Sequence, residues 1–234
     1  MGVRVVVYLM DTRCFADKEL FAEIYGTLSP VRKKKIDAYM YDKDKYLSMG
    51  AGYLLENGLK AHALPPQQMH YEYGRDGKPG INDPRLRFNI SHSGVFTVCA
   101  FSGTEIGIDL QQMTKRVNPT AFGVACSPKE KKYLKALDRK KWTSEFYRMW
   151  TIKESYMKFL GTGLSLAPSR VDVNLEDFPL SVSLDGKKQN TYFKEYDVGI
   201  DYKLTVCSGR NDFAPNITVI RLDRYHVPKF FRLF

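Results

Sequence analysis

The same succession of elements is written twice along this chain, and that repetition limits the fold more than any other feature. In the first half a short β-branched run, Val3 to Leu9, precedes helical segments at Asp17–Leu28 and at about Val31–Gly58, the second opened by Ser29-Pro30. Tyr71 to Pro79 then reads as a hairpin turning at Asp76-Gly77, and strands follow at Arg87–Ile90, Phe96–Phe101 and Glu105–Gln111. The second half opens with helices at Pro119–Gly123, Pro128–Leu137 and Thr143–Leu160. It closes with strands near Arg170–Leu175, Leu180–Leu184, Tyr192–Tyr196, Tyr202–Ser208 and Ile217–Leu222. Each half is therefore helices followed by an antiparallel meander, an α+β pattern. Phe96-Thr97-Val98-Cys99-Ala100 and Leu204-Thr205-Val206-Cys207-Ser208 hold comparable places in the two halves. The expectation is two similar α+β lobes, residues 1–112 and 113–234, packed closely without a long linker.

With 44% hydrophobic residues in 234, the chain can bury a core of that size. Lys and Arg exceed Asp and Glu to give a net charge of +10, which favours an acidic partner without choosing among nucleic acid, anionic membrane, polyphosphate and acidic protein. Basic residues are dispersed and no interleaved aromatic motif appears, so no nucleic-acid partner is expected. No apolar run approaches the roughly 20 residues of a membrane span. Val3–Met10 is too short for a secretory signal, and the four cysteines form no C-x-x-C pair. A reduced, cytoplasmic protein is expected.

Three segments could carry chemistry. In Glu105–Gln111, period-two alternation puts Ile106, Ile108 and Leu110 on one face and Gly107, Asp109 and Gln111 on the other. A carboxylate and an amide beside a glycine suit a hard cation, although an ordinary half-exposed strand reads the same way. In Phe146–Leu160, helical spacing gathers Phe146, Met149, Trp150, Tyr156, Met157 and Leu160 into an apolar stripe, with Tyr147, Thr151, Glu154 and Lys158 in a polar wedge beside it. Glu154 and Lys158 alone could be a surface i,i+4 pair. Lys153, however, projects from the apolar stripe, where it either snorkels or meets a buried anion. In Arg87–Gly94, a strand ends in a small polar turn carrying His92, suited either to phosphate or to a structural role. No Walker loop, Rossmann fingerprint or hydrolase elbow is present.

Phe88-Asn89-Ile90-Ser91-His92-Ser93, Ile106-Gly107-Ile108-Asp109 and Trp150-Thr151-Ile152-Lys153-Glu154-Ser155-Tyr156-Met157-Lys158 together resemble the 4′-phosphopantetheinyl transferases, specifically the surfactin-synthetase-activating type. The order and spacing of a G-[IV]-D strand and a W-x-x-K-E-[SA]-x-x-K helix are the family's, and the resemblance covers nearly the whole chain. It implies a pseudo-twofold pair of α+β lobes binding coenzyme A between them. It further implies transfer of the 4′-phosphopantetheine arm to a serine of an apo peptidyl or acyl carrier protein, an acidic partner, with release of 3′,5′-ADP. Asp109, Gln111 and Glu154 are the implied ligands of Mg²⁺, or of Mn²⁺ in its place. His92 and Lys158 are implied to meet phosphates, Gly77, Lys78 and Pro79 to lie along the adenine with Ser91 nearby, and Arg32 and Lys35, assisted by Ser48, to meet the 3′-phosphate. Glu154 is the first choice of base and Glu130 the second, with Lys158 stabilising the departing phosphate. The sequence departs from the family at Gln111, where a second acid is usual, and at Leu47, where a basic residue is common. Carrier docking is expected at Gly161–Leu166, through Leu164 or Leu166, by a monomer.

Overall fold

The computed structural model describes residues 3–62, 64, 71–74, 76–115, 117–175 and 177–223. Among these residues, twelve strands and six α-helices follow in the order the sequence suggests, with one expected helix divided and the short strand β9 added. Strand β1 (Val6–Asp11) leads through a 3-10 turn to α1 (Lys18–Thr27), whose N-cap Asp17 accepts from the backbone of Glu19 and Leu20. The single helix expected over Val31–Gly58 is two: α2 (Pro30–Asp37) and α3 (Asp42–Ala61). Of α2 only Ile36 is buried, and the apolar pattern lapses across Ala38–Tyr41, where Met40 and Tyr41 are 81% and 67% exposed. Asp42 and Asp44 then favour a fresh helix start.

Strands β2 (Tyr71–Tyr73) and β3 (Pro79–Ile81) form the expected hairpin, Tyr73 opposite Pro79, with Gly77 at φ +81°; Arg75 lies outside the described residues. Next come β4 (Arg87–Ser93), β5 (Phe96–Ser102) and β6 (Ile106–Gln112). Helices α4 (Pro119–Ala125), α5 (Pro128–Ala136) and α6 (Arg139–Leu160) follow. The chain then runs through β7 (Val171–Asn174), β8 (Ser181–Leu184), β9 (Lys187–Lys188), β10 (Tyr192–Tyr196), β11 (Tyr202–Ser208) and β12 (Thr218–Ile220).

The two main sheets have the orders β12-β1-β5-β4 and β10-β11-β6. The matched pentapeptides are equivalent parts: β5 and β11 are interior strands, each flanked by antiparallel partners. The sheets are not simple meanders, however. β12 crosses back to pair parallel with β1, and β6 joins β11. Helices α1 to α3 cover the first sheet over a core that includes Ile24, Leu54 and Phe101. Val7, Val98, Ile106, Ile108, Leu110 and Val206 fill the space between the two sheets. Helix α6 packs on the outer face of the second sheet through Ile152, Tyr156 and Met157. The layers are thus helices, sheet, sheet and helix, and two similar α+β lobes meet at the inner core.

One edge of each sheet meets the other, and side chains join them. Asn89, Ser91 and Ser93, alternate residues of β4, accept hydrogen bonds from the backbone nitrogens of Ile108, Leu110 and Gln112 at 2.9, 3.2 and 2.9 Å. This ladder satisfies donors that an edge strand would otherwise leave open. It also fixes β4, with Ser91 and His92, against the strand that carries Asp109.

Candidate functional site

Gly107 decides how close α6 comes to β6. A Cβ there would lie 2.0 Å from the carbonyl oxygen of Ser155 and 2.4 Å from the nitrogen of Phe159, so helix backbone occupies the space a side chain would need. This contact sets Glu154 and Lys158 over the polar face of β6. Gly107→Ala is therefore expected to cost about 2–3 kcal/mol by overpacking and to slow the chemistry of the folded fraction roughly 10²-fold through misplacement. Denaturant unfolding beside turnover measurements checks both.

Asp109 is 1% exposed and its carboxylate is fully engaged. Oδ1 accepts from Lys158 Nζ at 2.6 Å and Ser91 Oγ at 3.0 Å, and Oδ2 accepts from Gln111 Nε2 at 3.2 Å. Lys158 Nζ donates also to Ser91 Oγ and to the carbonyl of Ile108, at 3.0 and 3.1 Å. Half-buried Glu154 accepts no hydrogen bond from any described residue. Its carboxyl is pushed up to about 7, first by loss of water and then by the charge of Asp109, with Lys158 opposing. Two carboxylates close enough to disturb one another are short of positive charge, which a hard cation would supply. Among the described residues no group of three or more His, Cys, Asp and Glu side chains converges, so such a cation would complete its shell with water and ligand oxygens.

Beside this pair lies a cavity of about 510 Å³, lined in part by Arg32, Lys35, Ser48, Gly77, Pro79 and His92. Six of the residues expected at coenzyme A thus converge there. Neither Arg32 nor Lys35 forms an ion pair with a described residue. Ser48, which lines the same space, has a buried Oγ with no hydrogen-bond partner among the described residues. Loss of water, then Lys158 and Lys35, hold the His92 ring below its usual pKa. The ammonium of Lys35 is likewise lowered, by loss of water and then by Arg32. Cations crowded this way suit an anion with several oxygens.

Other expected residues stand elsewhere. Lys78 turns its ammonium away from the cavity, to Glu105 Oε2, the carbonyl of Ile106 and the carbonyl of Phe159 at 2.9, 2.9 and 3.2 Å. It staples the β2–β3 hairpin to β6 and to the end of α6, while Gly77 and Pro79 keep their place at the cavity wall. Ser91 lies under the carboxylate of Asp109, 7% exposed, and does not line the cavity. Glu130, the second candidate base, is 3% exposed with both oxygens taken. Oε1 accepts from the nitrogen of Val173 at 2.9 Å; Oε2 accepts from the nitrogen of Ser127 at 2.8 Å and from Lys153 Nζ at 2.5 Å. Its role in this structure is a capping box and a buried ion pair. Lys153, 1% exposed, meets that anion and also the carbonyls of Ala125 and Pro168, at 2.8 and 3.0 Å. Leu166 is 7% exposed in the core against α6, not at a docking surface, and the side chain of Leu164 lies outside those described. In α6 the stripe residues Phe146, Met149, Tyr156 and Met157 are buried, Trp150 is half-buried and Leu160 is 41% exposed; of the wedge only Thr151 is buried, bonding Thr205 at 3.0 Å. Lys34, Phe88, Ile90 and Glu56 also line the cavity. Of these Glu56 had a readable signal, a lone acid in the apolar run Tyr53-Leu54-Leu55-Glu56.

Fold and site together define an α+β protein with a cation-lined cavity and a carboxylate pair linked to its wall through Lys158 and His92. Residues 105–207 match the family described as the 4′-phosphopantetheinyl transferase superfamily. The 4′-phosphopantetheinyl transferase Sfp of Bacillus subtilis (strain 168) is 32% identical over 196 residues, 82% of this chain and 87% of that protein. A second 4′-phosphopantetheinyl transferase of Bacillus subtilis is 32% identical over 200 residues, again 82% and 87% of the two chains. The human L-aminoadipate-semialdehyde dehydrogenase-phosphopantetheinyl transferase is 25% identical over 213 residues, 80% of this chain and 68% of that one. The chain belongs to the 4′-phosphopantetheinyl transferase superfamily and is of the Sfp-like type.

Proposed function

We propose that this protein transfers the 4′-phosphopantetheine arm of coenzyme A to a serine hydroxyl of an apo peptidyl or acyl carrier protein, releasing 3′,5′-ADP. The observation that carries the reading is that His92, on the wall of the Arg32–Lys35 cavity, feels the charge of Lys158, which in turn is ion-paired with Asp109. Arg32 and Lys35, with Ser48, hold the 3′-phosphate; Gly77 and Pro79 flank the adenine; His92 and Lys158 meet the pyrophosphate. Asp109 and Glu154 hold Mg²⁺ (or Mn²⁺), with Gln111 offering an amide oxygen in place of a third carboxylate. When bound, the cation neutralises charge on the pyrophosphate and makes the phosphorus easier to attack.

Glu154 accepts the serine proton, directly or through water; loss of water and then the charge of Asp109 favour the proton on its carboxyl. Lys158 stabilises the leaving phosphate. The net charge of +10 speeds encounter with acidic carriers and with coenzyme A. We assign the lobes to residues 1–112 and 113–234, each lending one strand to the other's sheet, β6 to the second and β12 to the first, and expect a monomer working in the cytoplasm.

Release of 3′,5′-ADP on mixing protein, coenzyme A, Mg²⁺ and apo carrier should equal the carrier added and cease with chelator. Release that is absent, or that proceeds equally with a carrier lacking the acceptor serine, would refute the reading. Gln111→Glu is expected to preserve turnover while lowering the Mg²⁺ concentration that half-saturates it, because the site gains a carboxylate.

A further inference from the structure

Helix α3 is buried without a break from Leu47 to Leu59, and Glu56 lies within that stretch at 3% exposure. A carboxylate there needs matching donors, the more so beside a cavity meant for an anion. Ser29 supplies them. Its backbone nitrogen lies 3.2 and 3.1 Å from Oε1 and Oε2, and its hydroxyl donates to Oε1 at 2.6 Å. The same hydroxyl is the N-cap of α2, accepting from the nitrogen of Arg32 at 3.4 Å. Glu56 therefore grips the first turn of the helix that carries Arg32 and Lys35.

One turn earlier on the same face of α3 stands Gly52. A Cβ there would lie 2.5 and 2.7 Å from Cγ and Cδ of Arg32, so the missing side chain is the channel through which the Arg32 stem runs. The far side of α2 is tied separately: Lys33 Nζ donates to the carbonyl of Gly26 at 3.0 Å, and the Tyr25 hydroxyl donates to Asp37 at 2.8 Å. Arg32, Lys34 and Lys35 are left at the cavity.

We infer that Glu56 and Gly52 are positioning residues that seat α2 on α3, fix where Arg32 and Lys35 present their charge, and thereby set selectivity for a nucleotide bearing a 3′-phosphate. The inference rests on the coenzyme A reading of the cavity and goes beyond it in assigning the selectivity to two residues that act through Arg32 and Lys35, Glu56 from the cavity wall and Gly52 from behind it. A rigid seat matters because charge-assisted hydrogen bonds lose most of their strength when the cation is displaced or free to wander.

The test compares kcat and KM for coenzyme A and for 3′-dephospho-coenzyme A in the wild-type protein and in Gly52→Ala, Glu56→Leu and Glu56→Gln, with Arg32→Gln as benchmark. The wild type should prefer coenzyme A. Gly52→Ala, which crowds only a flexible side chain, should lose about 10-fold or more of that preference, almost wholly through KM for coenzyme A. Its kcat/KM for the dephospho form should stay within about 2-fold. Glu56→Leu should lose as much as Arg32→Gln. Glu56→Gln, which keeps one acceptor for Ser29, should fall between these and the wild type. Should Glu56→Leu fail to fold, Gly52→Ala and Glu56→Gln still decide the matter. A preference unchanged in Gly52→Ala and Glu56→Gln, or an equal fall for both substrates, would overturn the inference while leaving the coenzyme A reading intact. A wild type that turns over neither nucleotide would overturn both.

Discussion

Asp109→Asn is expected to lower carrier modification by about 10³-fold or more while the protein stays folded. The asparagine keeps the shape of the buried side chain and an oxygen for Ser91 and Lys158, which now bond Oδ1 at 3.0 and 2.6 Å. What it removes is the fixed negative charge that, in the proposed function, joins Glu154 in holding a divalent cation. The loss should fall on kcat, since the cavity residues proposed to hold the nucleotide are untouched. Intact-mass kinetics of the carrier, beside a thermal unfolding curve of the variant, make the measurement. A variant that folds normally and keeps more than about a tenth of wild-type turnover would remove Asp109 from the chemistry.

Lys153→Met is expected to cost about 3–5 kcal/mol of stability, because it strips one partner from a buried ion pair and leaves the other charge without its counterion. Glu130 would keep the nitrogens of Ser127 and Val173, but those bonds do not replace a cation at 2.5 Å. The same reasoning predicts non-additivity: the Lys153→Met, Glu130→Gln double variant should cost less than the sum of the two single changes by more than about 1 kcal/mol. Denaturant midpoints of the four proteins complete the cycle. The Glu130→Gln variant also decides the choice of base. A structural Glu130 leaves kcat of the folded protein within a few-fold of wild type, whereas a base at that position would take about 10²-fold or more with it.

What the sequence revealed, and what it hid, follows from the range of each interaction. Asp109 was visible because period-two alternation separates it from Ile108 and Leu110, and the structure buries those two residues between the sheets. Glu154 and Lys158 were visible as neighbours because helical spacing is local. Lys153 was legible only as a problem, since its partner Glu130 lies 23 residues away across a helix turn and a loop. The break at Ala38–Tyr41 escaped because basic residues on both sides are good helix formers, and propensity alone does not report that burial lapses there. The parallel pairing of β12 with β1 joins strands some 200 residues apart, and nothing in either short apolar run specifies that partner. Lys78 and Ser91, expected along the adenine and near it, do not line the cavity. Where their polar atoms go, to a carbonyl of α6 and to the carboxylate of Asp109, depends on the approach of β6 and α6 that Gly107 permits.

The most direct measurement is the intact mass of a purified apo carrier protein before and after incubation with this protein, coenzyme A and Mg²⁺, run with a peptidyl and an acyl carrier. The expected result is a mass gain of one phosphopantetheine group at the acceptor serine of at least one carrier, lost on adding chelator and lost with Asp109→Asn. No gain on either carrier, or a gain that Asp109→Asn leaves unchanged, would contradict the assignment of this site as a phosphopantetheinyl transfer centre.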